Sequence, residues 1–305
     1  MTAELLADDA GFETVTTRVV DVDGIPMSAL CAAVGEPRAV LVAVHGGATT
    51  SRYFDFPGRP WLSLLRLGAR LGFTVLAVDR PGYGASAPHG QVFDPPARRV
   101  DACYRAIDAL LESRPRGAGI FLLSHSAGCD LGVRMAADAR GAGLLGVELA
   151  GTGLRKHADA ERLIQQMRHT RSAAAVGALL WHPDHLYPPE IVGGRSISFP
   201  SPRYEAAVVR DWPADFRNLA GRVTVPVRFS HAEYERFWRS DPEALAEIRG
   251  LFRAAPRFVP HAQRGSGHNL SVGVAAAAYH LGVLSFVEEC VLRSAVLDST
   301  RSLPQ

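Results

Sequence analysis

Lysine is almost missing from this chain. Its 305 residues hold 33 Lys and Arg, and all but Lys156 are arginine. The net charge is only +2, so the basic balance that a nucleic-acid-binding protein needs is absent. Arginine in lysine's place reads as the codon bias of a GC-rich genome rather than as phosphate recognition. Cysteine is scarce as well. Cys31, Cys103, Cys129 and Cys290 are far apart and form no CxxC pair, which argues against a zinc site and a disulfide framework. Long apolar runs are lacking: the stretch from Val272 to Leu284 is interrupted by His280 and is too short to span a bilayer. The opening MTAELLADDAGFETV carries acids early and has no basic start before an apolar core, so no signal peptide is expected. Repeats and low-complexity segments are absent. These absences point to a cytoplasmic protein with neither nucleic-acid nor membrane partners.

What is present is enough apolar sequence, 47% of residues, to bury one large core. Thr14 to Val22 alternates, Asp23-Gly24 offers a hairpin turn, and Pro26 to Ala33 returns. Ala39–Val44, Phe73–Val78 and Ile120–Leu123 are short continuous apolar runs, the pattern of strands buried on both faces. Helical spacing lies between them. Trp61 to Leu71 ends at Gly72, and Val100, Cys103, Ile107, Leu110 and Leu111 mark one helical face before Pro115. A third helix follows Ser126 through Leu131, Val133 and Met135. After Ala150 the alternation stops, and one helix, Ala158–Met167, is expected before the strand Val223–Ser230. Asp241-Pro242 then opens a helix as N-cap and N1, Arg257–Pro260 forms a short strand, and Val272–Leu292 a last helix. Alternating strands and helices imply right-handed crossovers and a mostly parallel α/β sheet. The expected organisation is a core of 1–152 and 222–305, with a cap of residues 153–221 inserted after the sixth strand.

The chemistry is signalled by LLSHSAG, residues 122–128. A strand-forming run ends there on a serine between small residues, and helical spacing begins at once. In open parallel sheets, ligands bind beyond the carboxyl ends of the strands. A serine on a tight strand-to-helix turn at that edge stands clear of the sheet. The helix start also offers unpaired N–H groups to developing negative charge.

Ser124-His125-Ser126-Ala127-Gly128 resembles the nucleophile elbow of the α/β-hydrolase family, G-x-S-x-G, with Ser124 standing where the first glycine is usual. His45-Gly46-Gly47-Ala48 follows a strand as the family's oxyanion loop does. Asp79-Arg80-Pro81-Gly82-Tyr83-Gly84-Ala85-Ser86 is similar to its D-x-P-G-x-G-x-S turn, where Asp79 is expected to anchor the loop. The resemblance covers nearly all of the chain outside the cap and implies an eight-stranded α/β-hydrolase sheet flanked by helices. It also implies Ser126 as nucleophile and His268, in Gly265-Ser266-Gly267-His268-Asn269, as base. The oxyanion donors would be the N–H groups of Ala127 and Gly47, with Ala48 as second choice. Counting the family's P-V-x-x-x-x-G-x-x-D from Pro226-Val227 puts the triad acid at Glu235. Glu233 is the runner-up on the same loop, and Glu148 a third candidate near the end of the sixth strand.

Cap aromatics, among them Trp181, Tyr187, Trp212 and also Phe216, read as packing together with the roof of an apolar acyl pocket, and His125 as packing or pocket lining. His182-Pro183-Asp184-His185 has two histidines but no evident third ligand, so no metal is expected, nor any cofactor. The expected partner is a small-molecule acyl substrate. Arg155 and Lys156 at the start of the cap could meet an acyl carrier protein, though such residues are most often a solvated face. Three functions fit: a serine hydrolase of carboxylic esters or thioesters, an acyltransferase of a natural-product pathway using the same triad, and a non-catalytic binding protein of the same fold.

Overall fold

The computed structural model describes residues 14–170 and 173–301; residues 1–13 of the amino-terminal segment read above for a signal peptide lie outside them. Eight strands form one sheet: β1 (Thr16–Val22), β2 (Ile25–Ala32), β3 (Val40–Val44), β4 (Thr74–Val78), β5 (Ile120–His125), β6 (Leu144–Ala150), β7 (Val227–Ala232) and β8 (Phe258–Gln263). Their order across the sheet is β1-β2-β4-β3-β5-β6-β7-β8. The β1–β2 and β2–β4 pairs are antiparallel and the remaining pairs are parallel. The helices are α1 (Leu64–Arg70), α2 (Pro96–Leu111), α3 (Gly128–Ala137), α4 (Ala158–Thr170), α5 (Ala173–Leu180), α6 (Glu205–Ala220), α7 (Pro242–Leu251) and α8 (Ala276–Arg301).

Strand β3 shows why its run is apolar without alternation. All five of its residues are buried. Val40, Val42 and Val44 pack in one cluster with Val100, Cys103 and Ile107 of α2, while Leu41 and Ala43 join Val283 and Val287 of α8 on the other face. A parallel strand covered by helices on both faces has no solvent side to mark with polar residues.

Boundaries moved where backbone donors are missing. β7 begins at Val227 and not at Val223, because Pro226 has no N–H to give a ladder, although its carbonyl accepts from Val147. β8 continues through Pro260 to Gln263; as the sheet's edge strand it has a free side on which a proline is tolerated. Ser63 caps α1 and Asp241 caps α7, each accepting from the backbone N–H three residues on. Trp61 falls outside α1, in a short 3-10 turn.

Among the described residues, the segment between β6 and β7 holds three α-helices where sequence spacing indicated one. α6 was hidden by Pro213, which sits inside it. An interior proline costs about 3 kcal/mol. Glu205, Val208, Trp212, Phe216 and Ala220 nonetheless form one buried stripe across it, and burying side chains such as Trp212 and Phe216 supplies about 1.5–3 kcal/mol each. Among the described residues no helix is long and apolar enough to cross a membrane.

Candidate active site

The elbow stands at the carboxyl end of β5, in the middle of the sheet. Ser126 has φ 52°, a left-handed conformation that costs a non-glycine residue roughly 1–2 kcal/mol. Its N–H donates to Ala150 O at 2.8 Å and its carbonyl accepts from Cys129 N at 2.9 Å, so both neighbours hold the strained residue in place. The turn demands small residues. A β-carbon on Gly128 would stand 2.4 Å from His45 O, and one on Gly132 would stand 2.0 Å from Ser124 Oγ. The second contact explains the departure at Ser124: the hydroxyl there fills space that Gly132, one turn into α3, leaves open.

His268 Nε2 lies 2.9 Å from Ser126 Oγ, and His268 Nδ1 lies 2.9 Å from Glu235 Oε2. Glu235 Oε1 accepts from Phe237 N at 2.9 Å and from Trp238 N at 3.4 Å. Burial pushes the Glu235 carboxyl up, but the charge and hydrogen bond of His268 and the two N–H groups outweigh it and hold the group below the usual carboxylate range. The acid therefore stays ionised and can steady an imidazolium.

The other two acid candidates lie elsewhere. Glu233 is exposed and its Oε2 accepts from Gly265 N at 2.8 Å; it anchors the histidine loop at its start but does not reach the imidazole. Glu148 is fully buried, paired with Arg228 at 3.0 Å and accepting from Tyr279 Oη at 3.0 Å, so its carboxylate belongs to the interior between the sheet and α8. Asp79 Oδ1 accepts from Ser51 N at 2.7 Å and its Oδ2 from Ser28 Oγ at 2.5 Å; it is a loop anchor.

His125 has a more specific place than lining alone. Its Nε2 lies 3.0 Å from His268 O, and since a carbonyl only accepts, Nε2 carries the proton. The ring stacks on Tyr53 at 4.5 Å, and burial, then His268, push its pKa down to about 3. A neutral His125 thus holds the backbone of His268 while one side of it faces the cavity.

The oxyanion loop abuts the elbow. A β-carbon on Gly46 would lie 3.2 Å from Ser126 Cβ, and one on Gly47 would lie 3.7 Å from Ala127 Cβ. The N–H of Ala48, the second-choice donor, is already directed at Tyr83 Oη, 3.3 Å away. Among the described residues neither Gly47 N–H nor Ala127 N–H has a partner in the protein. Both are free to meet a charged oxygen.

A cavity of about 840 Å³ opens on Ser126 and His268. Trp181, Trp212 and His125 line it, together with Leu180, Ile197, Phe237 and Trp238, which sequence reading did not single out. Tyr187 does not line it. It is buried behind Trp181, and its Oη accepts from Asn269 N at 3.2 Å, so it braces the loop that carries His268. Lys156 packs against two rings of the chain itself. Its Nζ sits 3.2 Å from the Trp238 ring centroid and 3.8 Å from that of Phe237. Arg155 is paired with Glu243 and Glu247. Among the described residues no three His, Cys, Asp or Glu side chains are grouped as a metal site needs.

The model of the alpha/beta hydrolase family matches residues 41–279. Among solved structures, the chain is similar to a thermostable carboxyl esterase from Bacillus coagulans (14% identity, 91% of this chain and all of that one, TM-score 0.63). It is also similar to the thioesterase domain from the curacin biosynthetic pathway (17%, 88% and 100%, 0.57) and to E-2-(acetamidomethylene)succinate hydrolase (19%, 90% and 100%, 0.63). At such identities the likeness is one of fold. A search of curated protein sequences finds no match.

Proposed function

The chain belongs to the α/β hydrolase family, and on that premise we propose that it is a serine hydrolase forming an acyl-enzyme on Ser126 from a carboxylic ester or thioester. The observation that carries this reading is the continuous hydrogen-bonded chain from Ser126 through His268 to Glu235. Similarity to both an esterase and a thioesterase agrees with either donor.

A serine hydroxyl is a weak nucleophile until a base takes its proton. His268 Nε2 accepts that proton as Ser126 Oγ bonds to the acyl carbon. The carbonyl oxygen becomes an oxyanion facing the N–H groups of Gly47 and Ala127, each such donor being worth about 3–4 kcal/mol in comparable enzymes. The carbon–oxygen or carbon–sulfur bond to the leaving group then breaks, and the leaving group takes the proton from His268. Water repeats the sequence on the acyl-enzyme: its proton goes to His268, its oxygen to the acyl carbon, and Ser126 leaves with the proton returned. Glu235 remains a carboxylate throughout and keeps the Nδ1 proton in place, so that Nε2 faces the serine.

In this reading residues 153–221 act as a cap, because their aromatic and aliphatic side chains roof the cavity above Ser126. The acyl group is apolar and of medium or long chain, in keeping with Leu180, Trp181, Ile197 and Trp212 along the walls. Intact-protein mass spectrometry tests the reading. A fluorophosphonate probe and a panel of acyl esters and thioesters should add mass to the wild type, and Ser126→Ala should abolish the gain. Unchanged labelling of Ser126→Ala would remove the serine from its role.

A further inference from the structure

Two glycines in a row make Gly46-Gly47 an unpromising place for a rigid hydrogen-bond donor. The structure braces that peptide from behind. Gly46 O lies 2.8 Å from Arg80 Nη2 and 2.8 Å from His45 Nδ1. Arg80 N donates to His45 Nε2 at 3.0 Å, so Nε2 bears the lone pair and Nδ1 bears the proton that goes to Gly46 O. Burial, followed by the nearby Arg80 charge, keeps that ring neutral. Both acceptor positions of the carbonyl are therefore used. The carbonyl of Gly46 and the N–H of Gly47 are opposite ends of one planar trans peptide. Holding the first aims the second, and a cation on the oxygen polarises the N–H further.

Arg80 is itself held from the segment between β6 and β7. Glu205, the first residue of α6, accepts from Arg80 Nη1 at 3.1 Å and from Nη2 at 2.9 Å. Both side chains are buried, Arg80 being 2% and Glu205 7% exposed. The guanidinium also lies over the Tyr83 ring, 4.7 Å from its centroid. A buried guanidinium is tolerated only with its counter-charge in place, and here the counter-charge arrives on α6, across 125 positions. Glu205 Oε1 would be 2.9 Å from a β-carbon on Gly47, so the ion pair borders the oxyanion site itself.

We propose that Arg80 is a positioning residue of the oxyanion hole, aiming Gly47 N–H through the Gly46 carbonyl, and that Glu205 makes this brace depend on the docking of α6. Seating the segment over the serine and assembling the oxyanion hole are then one event. The inference rests on the serine-hydrolase reading above, and its test separates the two.

The experiment compares wild type with Arg80→Lys and Glu205→Gln. For each, kcat and KM are measured with a p-nitrophenyl ester. Inhibition by a trifluoromethyl ketone, whose serine adduct carries the oxyanion, is set against inhibition by the matching secondary alcohol, which has none. Lysine keeps the charge but cannot reach Gly46 O and both Glu205 oxygens at once. Each variant should lose about ten- to hundredfold in kcat, with KM within about threefold, given that removing a whole oxyanion donor costs about 10²–10³. Ketone affinity should fall by the same factor as kcat/KM while alcohol affinity holds. A raised KM at unchanged kcat, or equal losses for ketone and alcohol, would overturn the proposal. Should the variants not fold, a crystal structure of the wild-type ketone adduct decides: Gly46 O on Arg80 with the oxyanion on Gly47 N–H supports it, and a flipped Gly46–Gly47 peptide defeats it. A wild type that reacts with neither ketone nor fluorophosphonate brings down the serine reading and this inference together. A reactive wild type with unimpaired variants brings down this inference alone.

Discussion

Ser124 Oγ stands where a β-carbon on Gly132 would have to be, 2.0 Å from that position. One residue is the last but one of β5 and the other lies in the helix that follows, so the elbow is a fitted pair and not a motif with a defect. The hydroxyl has no hydrogen-bond partner among the described residues, so space and not polarity joins the two positions. Gly132→Ala should lose about 1–3 kcal/mol of stability by overpacking. Ser124→Gly in the same chain should recover most of that loss. Denaturant melts of the two single variants and the double read the coupling; simple additivity would show that the two positions do not share the space.

Glu235→Gln should cut turnover by about 10²–10⁴-fold, since the imidazolium loses its partner and imidazole its fixed tautomer. Glu233→Gln should stay within severalfold of wild type, because an amide oxygen can still accept from Gly265 N. Glu148→Gln should act on stability instead, by up to about 3–5 kcal/mol, as breaking a buried pair leaves Arg228 uncompensated. Steady-state rates and melting curves of the three separate these outcomes. A rate collapse in Glu233→Gln or Glu148→Gln, with Glu235→Gln active, would reassign the acid.

The same carboxylate gives a pH signature. Its folded pKa is held below the usual carboxylate value, so the native state binds its proton less readily than the unfolded chain. The resulting stability is fully present above the usual carboxylate pKa and is lost as pH falls through the folded pKa. The melting-temperature difference between wild type and Glu235→Gln should therefore narrow from pH 7 to pH 3. A difference that widens on acidification contradicts the assignment.

A single lysine makes its own titration readable. Burial pushes the Lys156 amine down to about 7, with the Glu235 carboxylate pulling the other way. Protein grown with lysine labelled at the ε-carbon should show one side-chain resonance with a midpoint near 7. Since the folded pKa is depressed, the unfolded chain binds the proton more readily between about 7 and the usual lysine value, and stability should rise with pH across that window. Lys156→Met should flatten this rise. A resonance that titrates at the ordinary lysine value would mean that the Phe237 and Trp238 faces hold the charge better than burial opposes it.

Local sequence determined a great deal here. Continuous apolar runs marked β3, β4 and β5 because a strand covered on both faces needs apolar residues throughout, and that requirement is written in neighbouring positions. The tight turn at Ser126 was legible because it admits only small residues around it. The resemblance, through the family's spacing counted from Pro226-Val227, preferred Glu235 over Glu233, because the offset between a strand and the loop after it is a local property of the chain. Tertiary structure alone decided the rest. α6 crosses Pro213 because packing outweighs a local penalty. Tyr187 faces the His268 loop and not the cavity, and Lys156 points into two rings, because side-chain direction depends on neighbours from other elements. Arg80, Gly46 and Glu205 meet from three separate parts of the chain, and their pairing is set by the cost of an uncompensated charge in the interior. No pattern of adjacent residues records that cost, because it arises only when the chain has closed around them.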